Sequence, residues 1–155
     1  MAVYCLDTNV LIQGWNEYYR MSIAPKYWDN LSRLSERKKL FCTMEVKREI
    51  ERTDDGLKEW AKDHPHLFME IDSEVQKHIR SIMKEYPTLV SVCKRRSVAD
   101  PWVIAHAMSM QATVVTKEEP PAKRTKIKIP HVCDALGVTW INDFGMVEEL
   151  KIKLA

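Results

Sequence analysis

"VYCLDTNVLI" at residues 3–12 is an apolar run with a polar interruption. Val3, Tyr4, Cys5 and Leu6 read as a buried strand, and Val10, Leu11 and Ile12 resume the apolar character. Asp7, Thr8 and Asn9 stand between them. A carboxylate at the end of a hydrophobic strand is costly unless its charge is compensated. Asp7 therefore either caps the following helix or holds a cation.

Working outward, strands and helices alternate. A first strand at 2–6 is followed by a helical segment, then by a helix over 23–39 with Pro25 near its start and Tyr27, Leu31 and Leu34 at helical spacing. "LFCT" at 40–43 reads as a strand and "MEVKREIER" at 44–52 as a helix. "DDGLKEWAKDHP" continues helically to Pro65, and 71–87 forms a helix with Ser73 as its expected N-cap and Pro87 as its stop. A helix over 99–110, the strand "ATVVT" at 112–116, a short helix ended by Gly137, the strand "VTWI" and a closing helix complete the chain. Short continuous apolar strands alternating with helices predict a parallel sheet covered on both faces, an α/β architecture. Ligands in such sheets bind outside the carboxyl ends of the strands.

The totals agree with one globular domain over residues 1–155. The chain is 45% apolar and 30% charged, and is long enough to bury a core without disulfides. A net charge of +2 does not by itself argue for nucleic acid. Cys5, Cys42, Cys93 and Cys133 show no zinc-ligand spacing and imply a reducing, cytoplasmic setting. No signal peptide and no membrane-length apolar run are read.

Several carboxylates share the predicted carboxyl edge. Asp7 ends the first strand, Glu45 and Glu49 open the helix after the second, Asp100 opens "DPWVIAHAM", and Glu118 follows "ATVVT". Gathered carboxylates repel, and each would have a raised pKa without a cation between them. Hard oxygen donors suit Mg²⁺ or Mn²⁺, at about 2.0–2.1 Å for Mg²⁺. Two such ions about 3.5–4 Å apart can activate a water and stabilise the leaving oxygen of a phosphodiester. Taken singly, each residue has a plainer reading. Asp7 and Asp100 are good N-caps, the latter before Pro101, and Glu45, Glu49 and Glu118 suit a helix start or a loop.

In order along the chain, "YCLDTNVLI", "VKREI", "ADPWVIAHA" and "ATVVTKE" resemble the PIN domain, a family of Mg²⁺/Mn²⁺-dependent ribonucleases. The resemblance implies a three-layer α/β/α sandwich around a mostly parallel sheet. It implies hydrolysis of RNA phosphodiesters, leaving a 5′-phosphate and a 3′-hydroxyl. It selects Glu49 over Glu45 and assigns Asp7, Glu49, Asp100 and Glu118 as metal ligands. Thr8 or Thr116 would orient a water or phosphate oxygen, and Asn9 would fix Asp7 by hydrogen bonding. The pattern departs from the family at Glu118, where Asp is usual, and at Glu119-Pro120-Pro121, where a further Asp often follows. Asp134 and Asp143 are unassigned alternatives. The tail from Lys126 to Phe144 resembles a subgroup often encoded as the toxin half of bacterial toxin–antitoxin pairs, which implies a cognate antitoxin and a homodimer.

Basic residues flank two of the acidic segments: Lys94, Arg95 and Arg96 before Asp100, and Lys117, Lys123, Arg124, Lys126 and Lys128 near Glu118. A basic rim suits an RNA backbone, and Trp15, Tyr18, Tyr19 and Trp102 could stack on bases. A solvated loop or a packed core residue is the plainer account of each. The five histidines form no ligand pattern, and His106 reads as a packed residue. Asn9 stands where an Asp-nucleophile phosphatase needs a second Asp, and the four glycines are too scattered for a dinucleotide-binding turn. The rival from another class is a PIN-like module that binds RNA or protein without cleaving.

Overall fold

The computed structural model describes residues 2–53, 56–87, 100–119 and 128–154. Five strands form the sheet: β1 (Tyr4–Leu6), β2 (Leu40–Thr43), β3 (Phe68–Met69), β4 (Thr113–Val115) and β5 (Trp140–Ile141). Their order is β3-β2-β1-β4-β5, and every pairing is parallel. Helices flank the sheet in a three-layer α/β/α sandwich. They are α1 (Thr8–Gln13), α2 (Pro25–Glu36), α3 (Met44–Glu51), α4 (Gly56–Asp63), α5 (Ser73–Glu85), α6 (Asp100–Met110), α7 (Ile129–Leu136) and α8 (Asp143–Glu149).

β1, β2 and β4 are continuous apolar runs because both sheet faces are covered. α6 is apolar nearly all round, with Val103, Ile104, Ala105, His106 and Ala107 buried, as befits a helix lying between the sheet and α5. α7 stops at Gly137, whose φ of 71° suits a residue without a Cβ. Two local expectations change. The N-cap of α5 is Asp72, whose carboxylate accepts the Val75 N–H at 3.0 Å, in place of Ser73. β3, which the alternation does not reveal, adds a fifth strand of two residues beside β2. Among the described residues no helix is long and apolar enough to cross a membrane.

The chain runs from β1 outward to β2 and β3, then returns to build β4 on the other side of β1. β1 and β4 are therefore the neighbours where the winding reverses. In an open parallel sheet the crevice outside their carboxyl ends is the natural ligand site.

Candidate active site

Asp7 leaves the end of β1 in that crevice and is fully buried. Its Oδ1 accepts the Thr8 N–H at 2.8 Å, so it caps α1. Its Oδ2 accepts the Thr116 hydroxyl at 3.2 Å, from the end of β4. Its own N–H donates to Val115 O at 2.9 Å. The cap on α1 and the bond from Thr116 are thus taken by different oxygens of one carboxylate.

Burial, then the charges of Asp100 and Glu118, hold the Asp7 carboxyl well above the usual carboxylate range. The two hydrogen bonds from Thr8 and Thr116 work in the other direction but do not win. Asp100, 5% exposed, opens α6 beside it. Glu118 follows β4; its N–H donates to Thr116 Oγ1 at 3.1 Å, and its Oε2 accepts the Ile129 N–H at 2.9 Å. One Glu118 oxygen therefore caps α7. Glu49 is half-buried on α3, which packs against α1 and α6. Glu45 pairs with Arg48 on the same helix.

Donor chemistry here fits a hard divalent cation. The groups are carboxylates and threonine hydroxyls, and the neighbours that raise Asp7's pKa are themselves acids. Buried Thr8 Oγ1, at the start of α1, and Thr43 Oγ1, at the end of β2, have no hydrogen-bond partner among the described residues. The carboxylates share a field without closing round a point: among the described residues no three His, Cys, Asp or Glu side chains come together to hold a metal.

Other expected residues divide sharply. Asn9 is half-buried in the first turn of α1, and the bonds expected from it to Asp7 come instead from Thr8 and Thr116. Lys117 turns its ammonium onto Asp143, 2.9 Å away. Lys94, Arg95, Arg96, Lys123, Arg124 and Lys126 lie outside the described residues. Tyr19 is 4% exposed and stacked on Tyr27 at 4.0 Å, so it is core rather than a base-stacking surface. Trp15 packs edge-on against Trp28. Trp102 is half-buried and lines a cavity of about 530 Å³ with Glu45, Arg48 and Gln76. His106 is buried against Phe41, as expected.

Asp143 is the acid at the carboxyl edge that sequence reasoning left unassigned. It is fully buried just beyond β5, with Lys117 on Oδ1. A weaker form of the Asp7 signal was available: an acid two residues beyond an apolar strand, after Asn142. Asp134, the other unassigned acid, accepts the Trp140 Nε1–H at 2.9 Å.

Solved structures share this architecture. VapBC2 from Rickettsia felis, bound to a promoter DNA fragment, matches with a TM-score of 0.56 at 14% identity, covering 90% of this chain and 98% of that one. VapBC-1 from nontypeable Haemophilus influenzae matches with a TM-score of 0.56 at 14% identity, covering 90% and 97%. DNA-bound VapBC from Salmonella typhimurium matches with a TM-score of 0.55 at 17% identity, covering 92% and 98%. No curated protein matches the chain at a significant level. At these identities the likeness is one of fold, and the fold is PIN-like. The model of one sequence family matches residues 4–154, and the chain belongs to that family, described as a domain of unknown function, DUF4411.

Proposed function

We propose that this chain is a Mg²⁺- or Mn²⁺-dependent endoribonuclease and the toxin of a toxin–antitoxin pair. The carrying observation is Asp7: a fully buried carboxylate at the topological switch point, with Asp100 and Glu118 raising its pKa. A protein that keeps such a group ionised at neutral pH needs a cation there. The structural neighbours are VapBC complexes, which supports a PIN-like toxin with a protein antitoxin.

In this reading Asp7, Asp100 and Glu49 hold the ion, and Glu118 reaches it with whatever freedom its cap on α7 leaves. A bound divalent ion supplies an acidified water and neutralises charge at the phosphodiester. The chain's own residues supply placement. Thr116 holds Asp7 Oδ2 from the neighbouring strand, the Thr8 amide holds Oδ1, and the Thr8 hydroxyl is a buried polar group beside the acids. The basic runs flanking Asp100 and Glu118 attract the RNA backbone. The reading extends to a cytoplasmic protein that pairs with a second copy of itself.

A second reading, a PIN-like module that binds RNA or protein without cleaving, is favoured by the Glu118–Ile129 bond and by the unclosed carboxylate group. Purified protein incubated with a mixed RNA and Mg²⁺, Mn²⁺ or EDTA separates them. Metal-dependent cleavage that is absent in Asp7→Asn and Asp100→Asn supports the nuclease. No cleavage, together with no Mn²⁺ binding by calorimetry, overturns it.

A further inference from the structure

Lys117 leaves β4 one residue beyond the hydroxyl that holds Asp7. Its ammonium and the Asp143 carboxylate form a nearly buried pair, with side chains 12% and 1% exposed. The same ammonium lies 4.1 Å from the ring centroid of Tyr18 and 4.2 Å from that of Phe144. The two rings meet edge to face, 5.5 Å apart. Despite these contacts Tyr18 is 47% and Phe144 45% exposed. A half-exposed ring forgoes part of its burial energy. Here two such rings are braced from within by an ion pair.

The three elements that carry the arrangement all leave the carboxyl edge. Tyr18 ends the π-helical turn Gly14–Tyr18 that continues α1, Lys117 follows β4, and Phe144 follows β5. We propose that Tyr18 and Phe144, whose rings stand at right angles, each offer a ring face on which one base of single-stranded RNA stacks, at the carboxyl edge that carries Asp7. The proposal rests on the nuclease reading above and names how that site grips its substrate. Two half-exposed rings are far less surface than the ~800 Å² per partner of a stable protein interface, whereas a base needs only a ring face. Asp143 neutralises the ammonium, and stacking uses the π-face that every base has, so the rings take any of them.

The test is binding of a short single-stranded oligoribonucleotide in EDTA, compared with a strand of equal length bearing abasic sites. Wild-type protein is expected to prefer the base-bearing strand about ten-fold. Tyr18→Ala/Phe144→Ala, with its fold checked by circular dichroism, loses that preference, and Tyr18→Phe/Phe144→Tyr keeps it. Equal binding of the two strands by wild type overturns the platform without recourse to any variant. So does a folded double-alanine protein that keeps the preference, the outcome expected if the rings serve a protein partner instead. Hydrolysis of bis(p-nitrophenyl) phosphate by wild type with Mn²⁺ reports on the nuclease separately. Base-dependent binding without hydrolysis leaves the platform standing and removes the nuclease; hydrolysis without base-dependent binding does the reverse.

Discussion

At the carboxyl edge of the sheet, Asp7, Thr8, Thr43, Asp100, Thr116 and Asp143 are all buried. Near the opposite edge, a cavity of about 360 Å³ has apolar walls of Val3, Leu40, Phe41 and Met110, and the charged or titratable side chains that also line it, Glu36, Lys38 and His66, belong to exposed residues. Away from the first set, Ser35 beside that cavity, His106 and the Tyr27 hydroxyl are also buried polar groups. Both edges close the same strands, so strand chemistry does not account for the contrast. Burying polar groups costs free energy unless each is partnered. The carboxyl edge carries that cost, and at Asp7 the neighbours add to it. Concentrated strain of this kind marks where a fold keeps its working parts.

The contrast can be broken most visibly through activity. Asp7→Asn and Asp100→Asn are each expected to lower metal-dependent RNA cleavage at least about a hundred-fold, read by gel assay. Val3→Ile, at the other edge, is expected to leave cleavage unchanged and to move the midpoint of thermal unfolding by only about 2 °C. Cleavage that responds alike to both edges would dissolve the distinction.

Stability should respond next. Lys117→Met leaves Asp143 buried without its cation, a loss of about 3–5 kcal/mol, or roughly ten degrees in Tm by calorimetry. Asp7→Asn should do the reverse. Removing a buried charge that faces two acids raises Tm in EDTA by a few degrees. Mn²⁺ then raises the Tm of wild type and leaves that of Asp7→Asn nearly unchanged. A fall in Tm for Asp7→Asn would mean that its hydrogen bonds outweigh its charge.

The smallest effect belongs to His106, which packs on Phe41. Burial holds its imidazole below the ordinary range, and Asp72 opposes this only in part. A folded pKa below the unfolded value of about 6.5 gives stability that is complete above that value. It is lost as pH falls through the folded pKa. The urea midpoint should drop between pH 7.5 and pH 5, and His106→Gln should flatten that drop. An unchanged slope would place the acid sensitivity elsewhere.

Much of this was legible in the residues. β1, β2, β4 and β5 are apolar runs bounded by helical periodicity, and all lie within the predicted segments. Asp7 stood out because it interrupts such a run. β3 did not, because two residues carry no period. Nor could sequence tell that one Glu118 oxygen is spent on Ile129, that Thr116 serves Asp7, or that Lys117 turns inward to Asp143. These contacts span from 11 to 109 residues and depend on strand order, which local patterns do not encode. Tyr19 and Tyr18 are adjacent and alike in type, yet one is core and the other exposed. The π-helical turn that separates them has no sequence signature.

The bond from Thr116 to Asp7 also has a meaning in time. In the order of synthesis Asp7 precedes its partner hydroxyl and the carbonyl of Val115 that anchors its amide by more than a hundred residues. A nascent chain short of β4 has the acid without the strand that fixes it. If the proposed activity is toxic, the cell that makes this protein is spared it until β4 has been made, and an antitoxin made alongside has that interval in which to be ready.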